Sequence, residues 1–225
     1  MAEAIRIAIV GAESTGKTVL AQALADRIVA LTGLRCTWVG EHLRDWCNTA
    51  GRTPRPHEQL AIAEAQHQLI DAAAARHDVV VCDTTALMTA VYSDLLFDDR
   101  SLVPYAVAQQ RRCHLTLLTA LDIAWVPDGL QRDGPQVRMP VDSRVRALLI
   151  DHALPWSLVA GQGAARVEAA LDAVAPLLRA RAAAGSGLFT RLAERDAQAA
   201  ARRWVCRDCD VPDCEHALMS RLRSR

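Results

Sequence analysis

The chain has 225 residues, half of them hydrophobic but few aromatic, and its 26 basic side chains are matched by 26 acidic ones. That length suits one sizeable α/β domain with an extension, and the charge balance excludes a whole-molecule field for nucleic acid or a membrane surface. With no bilayer-length apolar run, no secretory pattern and an odd count of seven cysteines that reads as reduced thiols, the expectation is a cytoplasmic protein.

Ile5–Val10 is apolar except for Arg6, the pattern of a strand buried on both faces. It leads into Gly11-Ala12-Glu13-Ser14-Thr15-Gly16-Lys17-Thr18, which fits G-x-x-x-x-G-K-[ST] at every fixed position. The glycines let the backbone curl around phosphate oxygens, and the helix that follows adds its positive N-terminal end. Lys17 brings a cation to the β- and γ-phosphates, and the Thr18 hydroxyl is a Mg²⁺ ligand. Gly11, Glu13, Ser14, Thr15, Gly16, Lys17 and Thr18 are therefore the expected cradle for ATP and Mg²⁺, with Lys17 also catalytic. A helix is predicted over Val19–Leu31, stopped by Gly33.

Cys36–Val39 reads as a short second strand. Glu41 follows it, with Arg44 and Asp45 beyond, at the sheet edge where ligands bind in open α/β folds. A small-molecule kinase needs a carboxylate there to accept a hydroxyl proton or hold a ribose diol; a solvated turn glutamate is the alternative. Gly51–Pro56 reads as a loop and His57–Arg76 as a long Ala-rich helix. Val79–Cys82 is a third apolar strand closing on Asp83, the pattern of the acid that assists Mg²⁺ in P-loop enzymes.

Val103–Arg112 has a helical pattern and Leu115–Leu118 that of a fourth strand. A regulatory GTPase would carry a guanine-reading Asn-Lys-x-Asp next. The chain has Thr119-Ala120-Leu121-Asp122, with no lysine, which favours a kinase. Pro127–Pro140, with two Gly and three Pro, is expected to be an exposed, mobile lid. Arg132, Arg138 and Arg144 in or just after it are candidates to close over the γ-phosphate, Arg132 being taken as the catalytic one. Val141–His152 predicts a helix, Trp156–Ala160 a fifth strand and Ala164–Ala184 a last helix. Alternation of this kind implies a three-layer α/β fold with a central parallel sheet.

Gly185-Ser186-Gly187 divides residues 1–184 from 188–225, where a helix over Leu188–Trp204 precedes a cysteine-rich tail. Cys206, Cys209, Cys214 and His216 have the residue types of a tetrahedral structural Zn²⁺ site, at spacing tighter than in ordinary zinc fingers. Redox-active and incidental thiols are the competing readings.

Taken together, GAESTGKTVLA at 11–21, Glu41-x-x-Arg44-Asp45, Gln66-x-x-x-Ile70-Asp71, Val81-Cys82-Asp83-Thr84 and Trp125-x-x-Asp128-Gly129-Leu130 resemble the ribosylnicotinamide kinase domain of bacterial NadR proteins, within the wider NadR-like AAA ATPase group. The resemblance runs over residues 4–178. It implies a nucleoside-kinase-like fold and transfer of the ATP γ-phosphate to the 5′-hydroxyl of nicotinamide riboside, in NAD salvage. By motif, Glu41 and Arg44 would face the substrate, Asp83 would serve Mg²⁺ or the acceptor hydroxyl, and 127–140 would be the lid. Thr85 departs from the family pattern, which has an Asp there. The partner expected is a small-molecule nucleoside, with neither nucleic acid nor membrane and with a homo-oligomer compatible. A regulatory ATPase with a partner-docking tail is the alternative.

Overall fold

A computed structural model describes residues 3–127 and 134–182. Arg132, the expected boundary near 184, the helix beyond it and the tail with Cys206, Cys209, Cys214 and His216 lie outside the described residues.

Five strands, β1 (Ile5–Val10), β2 (Cys36–Val39), β3 (Val79–Asp83), β4 (Leu115–Thr119) and β5 (Trp156–Val159), form one parallel sheet in the order β2-β3-β1-β4-β5. Every residue of β1 is buried. A central strand covered on both faces has no solvent side, so its sequence shows no polar alternation. Ile9 lies opposite Asp83 of β3 and Leu117 of β4. The C-terminal ends of these three strands therefore finish together, and their outgoing loops share one edge.

The helices are α1 (Lys17–Thr32), α2 (His42–Ala50), α3 (Gln59–Ala74), α4 (Ala86–Phe97), α5 (Val103–Gln110), α6 (Arg138–Asp151) and α7 (Gly163–Ala182). The pleat of β1 sorts its side chains between them. Ile5, Ile7 and Ile9 pack with Leu20, Leu24 and Ile28 of α1 and with Leu171, Val174 and Leu178 of α7. On the other face Val10 packs with Leu87 and Val91 of α4 and with Val145 and Leu149 of α6. Burying a side chain of this size contributes roughly 2 kcal/mol. Ile70 and Ala73 of α3 cover Val39, Val80 and Cys82. Arg6 is tolerated in the middle of this core because Asp71 of α3 pairs with it at 2.8 Å.

The elements differ from expectation at definite places. Helix α1 begins two residues early, and Gly33 ends it in the left-handed conformation, donating to the Val29 carbonyl at 2.8 Å. The long helix expected from His57 starts at Gln59, after one 3-10 turn over Pro56–Glu58. In that turn the Glu58 carboxylate takes the Arg55 N–H at 2.7 Å. Helix α6 begins at Arg138, so the last part of the segment expected to be an exposed loop is ordered. Pro135–Val137 is a 3-10 turn, Pro140 sits in the first helical turn where its missing N–H is harmless, and Arg138 is buried. Among the described residues no helix is long and apolar enough to cross a membrane, and Cys36, Cys47, Cys82 and Cys113 are free thiols.

Candidate functional site

The loop from β1 to α1 is shaped by positions that ordinary side chains tolerate badly. Gly11 has φ 147° and Gly16 has φ 74°. A Cβ on Gly11 would lie 2.1 Å from Thr119 Oγ1, so the neighbouring strand excludes any other residue. The buried Thr15 hydroxyl is 2.7 Å from that of Thr119 and 2.8 Å from the Ala12 carbonyl, and Thr119 donates to the Val10 carbonyl at 3.2 Å. The back of the loop is thereby fastened to β4.

Arg166, on α7, is a second fastening. It is almost fully buried, and its fork donates to Asp122 at 2.7 Å and to the carbonyls of Gly161, Thr15 and Ala120 at 2.7, 3.0 and 3.2 Å. One guanidinium thus joins the phosphate-loop motif to the loops after β4 and β5. Arg166→Met leaves the carbonyls of Gly161, Thr15 and Ala120 without this donor and Asp122 with its bond from the Gly161 N–H. It is expected to cost about 3 kcal/mol in urea unfolding and to weaken ATP binding about tenfold. A lysine has too few donors in the wrong geometry to restore either. Full stability and affinity in Arg166→Met would remove this assignment.

On the cavity side, Lys17 Nζ donates to the carbonyls of Gly11 and Ala12 at 3.0 and 2.9 Å, using two of its three protons. Burial lowers its pKa, against the pull of Glu41 and Asp83. Burial likewise raises Glu41, opposed by Lys17 and reinforced by Asp83. Asp83 is raised by burial too, opposed by a hydrogen bond from Thr18 and by Lys17. Arg44 Nη2 stands 3.5 Å from Glu41 Oε2. The result is a group of two cations and two carboxylates, Asp83 buried and the others part-exposed, in which Asp83 Oδ1 has no partner among the described residues. Glu41 itself is held from both sides. Gln66 of α3 accepts the His42 N–H at 2.6 Å and donates to the Gly40 carbonyl at 3.1 Å.

These residues open on a cavity of about 490 Å³. Glu13–Val19, Glu41 and Arg44 line it, together with a largely apolar set, Leu43, Cys47, Pro54, Tyr92, Leu96 and Phe97, and with Thr53 and Gln59. Asp83 is hydrogen-bonded by Thr18 and is not among the residues that line the cavity. Asp45 is exposed on α2 and does not line the cavity. Arg144 pairs with Asp94 of α4 instead of reaching the cavity. Thr85 caps α4, accepting the Leu87 N–H at 3.3 Å and donating to Gln110 at 2.6 Å, so the departure at this position faces the core.

Sequence reasoning passed over Tyr92, Leu96 and Phe97 because it passed over α4. That helix is buried nearly all round and offers no polar stripe; Thr85 before an apolar run was the available sign. Gln59, Thr119 and Arg166 carry no local signal, since their roles depend on residues far away in the chain.

Residues 6–166 match the family profile described as an AAA domain. No curated protein matches the sequence. Among solved structures, the fold is similar to a NadR protein in complex with NAD and AMP-PNP, at 18% identity and a TM-score of 0.61 over 77% of this chain and 49% of that one. It is similar to a NadR protein in complex with NR at 20% identity and TM-score 0.61, over 77% and 50%. A thymidylate kinase from Ehrlichia chaffeensis follows at 14% identity and TM-score 0.54, over 78% of this chain and 100% of that one. The chain spans about half the length of the NadR chains.

Proposed function

The chain belongs to the AAA domain family, and on that premise we propose that it is a small-molecule kinase which transfers the γ-phosphoryl group of ATP to the 5′-hydroxyl of a nucleoside, nicotinamide riboside first. One observation carries this reading: the cavity lined by the phosphate-loop motif is lined also by Glu41 and by a largely apolar set, Leu43, Tyr92, Leu96 and Phe97. Such a lining offers room for a ring-bearing acceptor beside a carboxylate.

In this reading the loop from Gly11 to Thr18 holds the phosphates, and Lys17 turns its third proton to them. Thr18 and Asp83 would hold Mg²⁺, which when bound neutralises phosphate charge; the orphaned, buried Asp83 Oδ1 beside the Thr18 hydroxyl fits such a cation. The acceptor hydroxyl approaches Glu41. As its oxygen bonds to the γ-phosphorus and the bond to ADP breaks, Glu41 takes the proton. Burial suits Glu41 to this, because a carboxylate of raised pKa is the better base near neutral pH. Arg44 keeps it oriented. The likeness to a structure holding NR supports the choice of acceptor, and the NAD salvage role follows from it.

The test is phosphorylation of a nucleoside panel with γ-labelled ATP, products being identified by mass. Nicotinamide riboside 5′-monophosphate is the expected main product. Release of inorganic phosphate at one rate regardless of acceptor would overturn the kinase reading in favour of a regulatory ATPase.

A further inference from the structure

Three residues of α3 meet the sheet and its outgoing chain in turn. Asp71 pairs with Arg6 of β1 at 2.8 Å, and Ile70 packs with Val39 of β2 and with Val80 and Cys82 of β3. Helix and strands are thereby held in one register. Gln66, one turn before Ile70, is 2% exposed and reaches the chain just after β2. There its amide oxygen accepts the His42 N–H at 2.6 Å and its amide nitrogen donates to the Gly40 carbonyl at 3.1 Å.

Those two groups flank one residue, Glu41. β2 lies at the edge of the sheet, and the chain leaves it at Val39. A primary amide offers a donor and an acceptor side by side, so Gln66 supplies the pairing that a neighbouring strand gives within a sheet. Glu41 is the N-cap of α2, with φ −74° and ψ 105°, yet its side chain makes no capping bond. The first N–H of the helix goes to Gln66. The Glu41 backbone is thus fixed on both sides, while its carboxylate is left to line the cavity beside Arg44.

We propose that Gln66 is a positioning residue for phosphoryl transfer, which bridges the peptide groups on either side of Glu41 and so aims that carboxylate at the acceptor hydroxyl. This rests on the kinase reading, in which Glu41 takes the acceptor's proton. Gln66 is not among the residues that line the cavity, so a change there reaches the reaction through the segment it holds. The effect is large because misplacing a reacting group by about 1 Å costs on the order of a hundredfold in rate.

The experiment is a double-mutant cycle on the full chain, combining Gln66→Met, apolar and of similar length, with Glu41→Gln. Transfer from γ-labelled ATP to nicotinamide riboside is measured per folded protein, together with the KM for ATP. Gln66→Met alone is expected to lower kcat roughly 30- to 100-fold and to leave the KM for ATP unchanged. In the Glu41→Gln background, where the base is already lost, the same substitution should change turnover by less than about threefold. Gln66→Asn, still polar but one methylene too short to span both groups, should follow the same pattern and replaces the Met variant if that one does not fold. Losses that multiply in the double variant, parental kcat in the Gln66 variants, or failure of both to fold would overturn the positioning role and leave the kinase standing. Parental kcat in Glu41→Gln would overturn Glu41 as the base and this inference with it. A wild-type protein that phosphorylates no nucleoside would overturn the kinase reading on which both stand.

Discussion

Lys17→Ala is expected to lower phosphoryl transfer by roughly three orders of magnitude, the scale seen when one preorganised charge-stabilising donor is lost from an active site. The reason lies in where the ammonium sits. It is half-buried, two of its protons are fixed on the loop's own carbonyls, and Glu41 and Asp83 oppose the lowering of its pKa by burial. Such a cation undergoes no reorganisation as charge develops on the transferring phosphoryl group. The fold should survive, because the loop is also fastened through Thr15, Thr119 and Arg166. A melting temperature within about 5 °C of the parent, alongside the loss of turnover, checks both halves. Parental turnover and nucleotide affinity in the folded variant would refute the assignment of the loop.

Asp83→Asn is expected to separate stability from activity. Turnover should fall at least a hundredfold if Asp83 helps to hold Mg²⁺, yet the nucleotide-free protein should melt higher than its parent at neutral pH. The sign follows from burial. Asp83 is raised in the folded state, so between the ordinary carboxylate pKa and the raised one the folded chain binds more protons than the unfolded chain. Its contribution to stability is complete at acid pH and is lost as pH rises through the folded pKa. Removing the charge cancels that loss, so the gap between variant and parent widens upward from about pH 4. Turnover runs in the opposite direction. It requires Asp83 and Glu41 ionised, which puts the acid limb of the parent's pH–rate profile above the ordinary carboxylate range. Melting curves across pH measure the first effect and a pH–rate profile the second. A variant less stable than its parent at every pH would contradict the account.

The fold was legible wherever burial leaves a one-dimensional trace. The five expected strands form one parallel sheet, and the spacing Gly11 to Thr18 located a β1–α1 loop whose glycines meet local geometric demands. Asp83 was readable as an acid closing an apolar run. The apolar lining of the cavity was not legible. Tyr92 and Phe97 lie on a helix without amphipathic period, and Gln59 joins the cavity wall only once α3 is folded against its neighbours. Arg166 serves the phosphate loop from the other end of the domain, so no window of sequence contains both partners. Thr85 is a departure from a motif whose local role only the fold shows: the side chain caps α4 and bonds Gln110.

The strand order carries a consequence for the birth of the protein. β1 lies between β3 and β4, and β2 pairs with β3. A ribosome that has released residues 1–78 has thus delivered two strands, the phosphate loop and α1 with no sheet partner for either strand. The loop waits longer, because its fastenings at Thr119 and Arg166 emerge last. Until then the apolar β1 is a bare edge, the condition in which nascent chains associate wrongly or are held by chaperones. Nucleotide competence arrives late in translation, although the residues assigned to phosphate are among the first to be made.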